Sequence, residues 1–209
     1  MITFAPPQVA VIQVGSLFGT CFALNDEIIV TAGHEGQAVG SAATITVGGT
    51  TLNLAGQIVT IGGTQLHGTV EYIGGPGVGE TETAAAVPGD YAIILLSAPE
   101  TILTPVHTGA VQDGSLVTEN GYPGMVHTIT AATLQTTQIT GLSVTNQPLA
   151  QGSSGGIVYN AQNEVVGITD AFSGGYEYVC DMGMNVEIAA VGVMMGWAPS
   201  TIASMEAII

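Results

Sequence analysis

Three residue types that together can turn an alcohol into a nucleophile occur in this chain, each in a distinctive local setting. The serine is Ser154, in Gly152-Ser153-Ser154-Gly155-Gly156. A hydroxyl attacks poorly until an adjacent base takes its proton. A tight glycine-rich turn can expose that hydroxyl and aim backbone N–H groups at one point. The same composition also suits a flexible Gly/Ser loop. The histidine is His34, which ends the apolar run Ile28-Ile29-Val30-Thr31-Ala32-Gly33-His34. An imidazole with an ordinary pKa near 6.5 is a natural general base at neutral pH, although a lone histidine after a strand is more often a surface residue. The aspartate is Asp90, at the entrance of Tyr91-Ala92-Ile93-Ile94-Leu95-Leu96. Taken alone it reads as a turn residue. Brought together, the three could serve as base, orienting carboxylate and nucleophile.

The other candidates for chemistry are weaker. His67, His107 and His127 have no metal-ligand spacing, and no HExxH motif or Cys/His cluster occurs. Neither a metal nor a cofactor is expected. Cys21 and Cys180 are far apart and form no disulfide framework. Two buried free thiols are favoured over a single bridge, with Cys21 packing on a core strand.

The elements that must position these residues read as short strands. Apolar residues make up 46% of the 209 positions, with 30 Gly and 9 Pro as punctuation. Alternation predicts strands over Val9–Val14, Gly19–Leu24, Ile28–Ala32, Ala43–Val47, Leu52–Ile61, Leu66–Ile73 and Tyr91–Leu96. A second set covers Ser115–Glu119, Val126–Leu134, Gln138–Val144, Gly156–Tyr159, Glu164–Ala171 and Tyr176–Met182. Gly74–Gly89, with Glu80 and Glu82, reads as a long exposed loop. Val186–Met195 and Pro199–Ile209 are more helical. Two packed β-barrels with a C-terminal helix fit this layout. The first would span residues 1–97 and carry His34 and Asp90. A connector would follow over 98–114, and the second barrel would span 115–209 and carry Ser154. No apolar run is long enough for a membrane span, and no basic start of a signal peptide follows Met1.

Charge is the outlier. There is no Lys or Arg against 16 Asp+Glu, where an average chain of this length would carry roughly 25 basic residues. Without a cationic patch, nucleic acid is not an expected partner. The chain offers no bond to a protease that cuts after Lys or Arg. It should also resist acid, because little positive charge can build up when the carboxylates are neutralised. A catalytic His34 with an ordinary pKa would fall silent below about 6.5.

The motifs resemble those of chymotrypsin-like serine proteases over nearly the whole chain. Thr31-Ala32-Gly33-His34 is similar to the family's histidine motif, Asp90 to Leu95 to its aspartate strand, and Gly152 to Gly156 to its nucleophile loop. Gly121-Tyr122-Pro123-Gly124 and the run Ser154-Gly155-Gly156-Ile157-Val158-Tyr159-Asn160 resemble the bacterial glutamyl endopeptidases and, more loosely, the heat-shock serine proteases. The resemblance implies an all-β fold of two packed six-stranded antiparallel β-barrels with a C-terminal helix. It implies that Ser154 attacks a peptide carbonyl, His34 carries the proton and Asp90 orients the imidazole. The N–H groups of Gly152 and Ser154 would form the oxyanion hole.

Departures from the family pattern are informative. Ser153 stands where zymogen-type relatives have the Asp that captures a new N-terminus. Ile157 replaces a proline, and Glu35 replaces a cysteine beside the catalytic histidine. Thr169 and Leu149 replace residues that help glutamyl enzymes read a substrate carboxylate. The resemblance implies a specificity pocket walled by Pro148, Leu149, Gln151, Asp170, Ala171, Phe172, Cys180 and Asp181. A mostly apolar pocket favours apolar side chains; Asp170 or Asp181 would instead read a cationic one. The expected partner is a polypeptide substrate, and an extracellular or virion-associated setting fits better than a cytoplasmic one. The alternatives are a protease-fold structural or binding protein, such as a viral shell component, and a narrow self-processing protease.

Overall fold

The computed structural model describes residues 7–54, 57–75, 88–147, 149–173 and 175–208, without the side chains of 50–61, 172 and 173. The first half carries β1 (Val9–Val14), β2 (Leu17–Ala23), β3 (Ile28–Thr31), β4 (Ala42–Val47), β5 (Thr50–Leu54), β6 (Gln57–Ile61), β7 (Thr64–Ile73) and β8 (Ala92–Leu96). Six of these close an antiparallel barrel in the order β1-β2-β3-β8-β7-β4. The run Leu52–Ile61, expected as one strand, is instead part of the hairpin β5–β6, with Leu54 opposite Gln57. Of the expected loop Gly74–Gly89, residues 76–87, with Glu80 and Glu82, lie outside the described residues.

The second half carries β9 (His107–Thr108), β10 (Leu116–Gly121), β11 (Thr128–Thr136), β12 (Leu142–Thr145), β13 (Ile157–Tyr159), β14 (Glu164–Ser173) and β15 (Tyr176–Asp181). The order β13-β10-β11-β12-β15-β14 closes through the β13–β14 pairing into a second six-stranded antiparallel barrel. Short β9, inside the expected connector, adds in parallel to β14. The expected C-terminal helix is two short ones, α1 (Met184–Met194) and α2 (Pro199–Glu206). Gly196, with φ of +70°, breaks the helical run, and Pro199 starts α2 at its first turn. A Cβ on Gly192 would come within 2.7 Å of Ile202, so the two helices pack closely at that glycine.

Strand alternation sorts the side chains into three cores. Ala10, Ile12, Cys21, Ile29, Ile45, Ile94 and their neighbours fill the first barrel. Val117, Leu134, Val158, Val166 and Val179 form a smaller cluster in the second. The opposite faces meet between the barrels, where Phe22, Val30 and Ile93 pack with Ile157, Ile168 and Cys180, and with Val186 and Ile202 of the helices. The hydroxyls of Tyr72 and Tyr91 both donate to Glu206, tying α2 to the first barrel. Among the described residues no helix is long and apolar enough to cross a membrane.

Candidate active site

His34 sits in a 3-10 turn, Gly33–Gly36, directly after β3. Asp90 precedes β8, the strand that pairs with β3, so strand pairing brings the two residues together across 56 positions of sequence. Asp90 grips the histidine twice. Its Oδ1 accepts the His34 backbone N–H at 3.1 Å, and its Oδ2 lies 2.6 Å from Nδ1. That contact fixes the ring and puts the proton on Nδ1. Gly33 makes the approach possible, because a Cβ there would come within 2.5 Å of Asp90 Oδ1. The small residue before the histidine therefore has a steric cause.

Two further carboxylates surround the ring. Asp170 Oδ1 is 3.7 Å from Nδ1, and Glu35 Oε1 is 3.6 Å from Nε2. Asp170 falls where the β14–β15 register slips between Thr169 and Ala171. Such a bulge re-aims a side chain. Burial by itself would lower the His34 pKa. The hydrogen bonds to Asp90 and Glu35 and their charges outweigh it, and the imidazole is pushed up to about 10. His34, Asp90 and Asp170 are the one group of possible metal ligands among the described residues, with donor atoms within 4.8 Å of one another. The short Nδ1–Asp90 contact makes that nitrogen a proton donor, which suits proton transfer better than metal ligation.

Ser154 comes from the second barrel, and its Oγ donates to the Asp170 carbonyl at 3.1 Å. The loop around it is held by its carbonyls. Those of Ala150, Gln151 and Ser153 accept from the N–H groups of Ser153, Gly124 and Gly156. Those of Gly152 and Ser154 accept from Thr20 on β2, through its hydroxyl and its N–H, both at 2.8 Å. Five consecutive carbonyls are thus turned into the protein. Among the described residues, the N–H groups of Gly152 and Ser154 donate to no backbone carbonyl. Gly152 has φ of +95°, and a Cβ there would meet Met125 and the Tyr122 carbonyl. The Gly121-Tyr122-Pro123-Gly124 motif now has a physical role. Its Gly124 N–H holds the loop, and its Tyr122 N–H donates to Thr20 Oγ1.

The residues expected to wall the pocket separate in space. Pro148 and the side chain of Phe172 lie outside the described residues. Leu149, Gln151 and Ala171 flank the loop around Ser154 and stay at least partly exposed. Asp170 is 4% exposed and turned to His34. Cys180 is buried between the barrels, and its Sγ accepts the Gly89 N–H. Asp181 shares a strand face with Val179, so its side chain is directed into the second barrel. Both cysteines are free and buried, and burial pushes both thiols up, which leaves them poor nucleophiles. His67, His107 and His127 are exposed; His127 Nε2 lies 2.8 Å from Asn120 Oδ1.

Solved structures share this architecture over nearly the whole chain. A Glu endopeptidase aligns with a TM-score of 0.66 at 17% identity, covering 86% of this chain and 87% of its own. The chain has the chymotrypsin-like fold. Rv3671c protease of M. tuberculosis, in an inactive form, aligns with a TM-score of 0.62 at 20% identity and 90% of each chain. A human pathogenic astrovirus serine protease aligns with a TM-score of 0.60 at 16% identity, over 87% of this chain and 93% of that one. No protein family profile and no curated protein matches the chain. Within this chymotrypsin-like fold, His34 and Asp90 come from the first barrel and Ser154 and Asp170 from the second.

Proposed function

We propose that this chain is a serine endopeptidase in which His34, Asp90 and Ser154 form the catalytic triad. The observation that carries the reading is the double grip of Asp90 on His34, with Asp170 touching both that ring and Ser154, whose loop has its carbonyls from Ala150 to Ser154 bonded within the protein. At rest Ser154 Oγ points to the Asp170 carbonyl. The reaction requires this hydroxyl to leave the Asp170 carbonyl for His34 Nε2, and substrate binding draws such catalytic hydrogen bonds together. Ser154 Oγ then attacks the scissile carbonyl carbon while Nε2 takes its proton. The N–H groups of Gly152 and Ser154 receive the negative charge that develops on the carbonyl oxygen. Asp90 stabilises the imidazolium. Nε2 returns the proton to the leaving amine, leaving an acyl-enzyme on Ser154 that water hydrolyses by the reverse steps.

The substrate is a polypeptide. With Asp170 engaged at His34 and Asp181 turned into the barrel, the loop flanks are Leu149, Gln151 and Ala171. That supports preference for an uncharged side chain before the cleaved bond.

The test is Ser154→Ala beside the wild type. Peptide hydrolysis should fall by on the order of 10⁶-fold in kcat, and adding His34→Ala should cost little more, since triad members act as a unit. A fluorophosphonate should label the wild type at Ser154 and leave the variant unlabelled. Unchanged turnover in the variant would refute the assignment. A wild type that neither reacts nor hydrolyses any peptide in a library would point to a binding or structural protein.

A further inference from the structure

Glu177 lies on β15, is 1% exposed and shares the inward strand face of Val179. Its carboxylate reaches the nucleophile loop at two points. Oε2 accepts the Leu149 N–H at 2.9 Å, and Oε1 accepts the Ser153 hydroxyl at 3.2 Å. Leu149 stands at the start of the loop, and Ser153 immediately precedes the nucleophile. No step of the proposed reaction uses this carboxylate.

Its position is physically expensive. A buried carboxylate needs a cation or strong hydrogen bonds, and the chain has no Lys or Arg. Glu119, also fully buried, adds like-charge repulsion and is itself bonded by the Thr145 hydroxyl. The donors that hold Glu177 belong to the loop, so Glu177 and the loop constrain each other.

We infer that Glu177 is a positioning residue that braces the nucleophile loop from inside the second barrel and holds the Gly152 and Ser154 N–H groups on the oxyanion. The inference rests on the proposed hydrolytic reaction. Thr20 and Gly124 hold the loop carbonyls from one side. Glu177 holds its two ends from the other. Between those ends lies Gly152, in the left-handed region with φ of +95°. Glycine tolerates either sign of φ. With the brace cut, the Gln151–Gly152 peptide can flip, turning the Gly152 N–H away and a carbonyl toward the developing charge. The brace answers a question raised by Ser153, which stands where zymogen-type relatives have a structural Asp. Here the carboxylate comes from β15 and Ser153 supplies the donor.

The experiment compares Glu177→Gln, Glu177→Leu and Ser153→Ala in the full chain. Glutamine keeps the shape and its oxygen still accepts the Leu149 N–H, but its amide can only donate to Ser153, so that hydroxyl must turn round and the contact weakens; leucine loses both. For peptide hydrolysis kcat should fall about tenfold in Glu177→Gln and on the order of a hundredfold in Glu177→Leu, with KM within about twofold. Affinity for a peptide boronic acid, which forms a tetrahedral adduct, should fall by the same factors. Peptide binding measured in the Ser154→Ala background should stay unchanged. Ser153→Ala removes the same contact from the loop side, so combining it with Glu177→Gln should cost little beyond the larger single effect. If Glu177→Leu does not fold, Glu177→Gln and Ser153→Ala carry the comparison. Wild-type kcat in Glu177→Gln would overturn the inference. So would full additivity of the pair, or retained boronate affinity. A wild type that a fluorophosphonate does not label would refute the hydrolytic reading itself, and this inference with it.

Discussion

The two barrels have the same strand count and opposite interiors. The first is filled by Ala, Val, Ile, Leu and Cys, with Ile12, Ile29, Ile45 and Ile94 fully buried. The second has a short apolar cluster, and its remaining inward positions include Glu119, Ser143, Thr145, Glu177 and Asp181. The first barrel is a rigid mount: it carries His34 and Asp90 on the ends of paired strands and needs only packing. The second has to hold the loop around Ser154, whose backbone would receive the oxyanion in the proposed reaction, and backbone groups are held by polar partners. Its acids have no cation to pair with, so each depends on hydroxyls, N–H groups or a proton.

Truncation should therefore hurt most in the first barrel. Ile45→Ala leaves a cavity with no water or polar group to fill it, and should cost about 2–5 kcal/mol by chemical denaturation. The loss should not depend on pH between 5 and 8.5. A small effect, or one that varies with pH, would mean that the first barrel is less uniformly apolar than its interior residues indicate.

The second barrel should respond to pH instead. Burial pushes Glu119 up to about 7 and Glu177 up to about 8, and raises Asp181. The folded chain thus keeps protons that the unfolded chain releases near the ordinary carboxylate value of 4.5. This stabilisation is complete below that value and is lost as pH rises through about 7 to 8. His34, also raised, adds in the same direction between 6.5 and about 10. The unfolding midpoint should be higher at pH 5 than at pH 8.5. Amide exchange in β10, β12 and β15 should quicken with pH before that in β1 to β4. Glu119→Gln keeps a partner for Thr145 while removing one charge beside Glu177, so it should raise the midpoint at pH 8.5 by a few degrees and change it little at pH 5. Stability that rises with pH would reverse the assignment.

Much of this molecule was legible in the sequence because it is written locally. Alternation located nearly every strand, and Gly33-His34 and Asp90 stand next to each other once β3 and β8 pair. The acid tolerance expected from the missing Lys and Arg gains a second basis in the buried acids. Long-range partners were not legible. Thr20 looked like any strand threonine, yet it holds the carbonyls of Gly152, 132 positions away, and Ser154. Asp170 and Asp181 could be located in the chain, but the side chain of Asp170 is re-aimed by a bulge and that of Asp181 follows strand parity. Glu177 alternates with Val179 into the barrel, and no local pattern distinguishes it from an exposed strand acid.

The finest comparison lies at the seam, where acids surround a base. An unperturbed His34 would lose its activity below about 6.5. In the structure Asp90 and Asp170 face its Nδ1 side and Glu35 faces Nε2. Burial opposes the charged ring, but the hydrogen bonds and charges of Asp90 and Glu35 prevail and raise its pKa. In the proposed reaction His34 must be neutral to accept the Ser154 proton, so the acid limb of the kcat/KM profile should lie above 6.5, higher than the sequence led us to expect. Glu35 contributes through Nε2, the nitrogen assigned to Ser154 in the proposed reaction, whereas Asp90 contributes through Nδ1, the nitrogen that orients the ring. Glu35→Gln removes only the first contribution. Its acid limb should move down toward 6.5 without reaching it, because Asp90 remains, and the alkaline plateau should change less than the limb. Measuring kcat/KM from pH 5 to 10 in both proteins decides the point. A wild-type limb at 6.5 or below would show that the carboxylates do not govern the base, and an unmoved limb in Glu35→Gln would leave Asp90 as its only control.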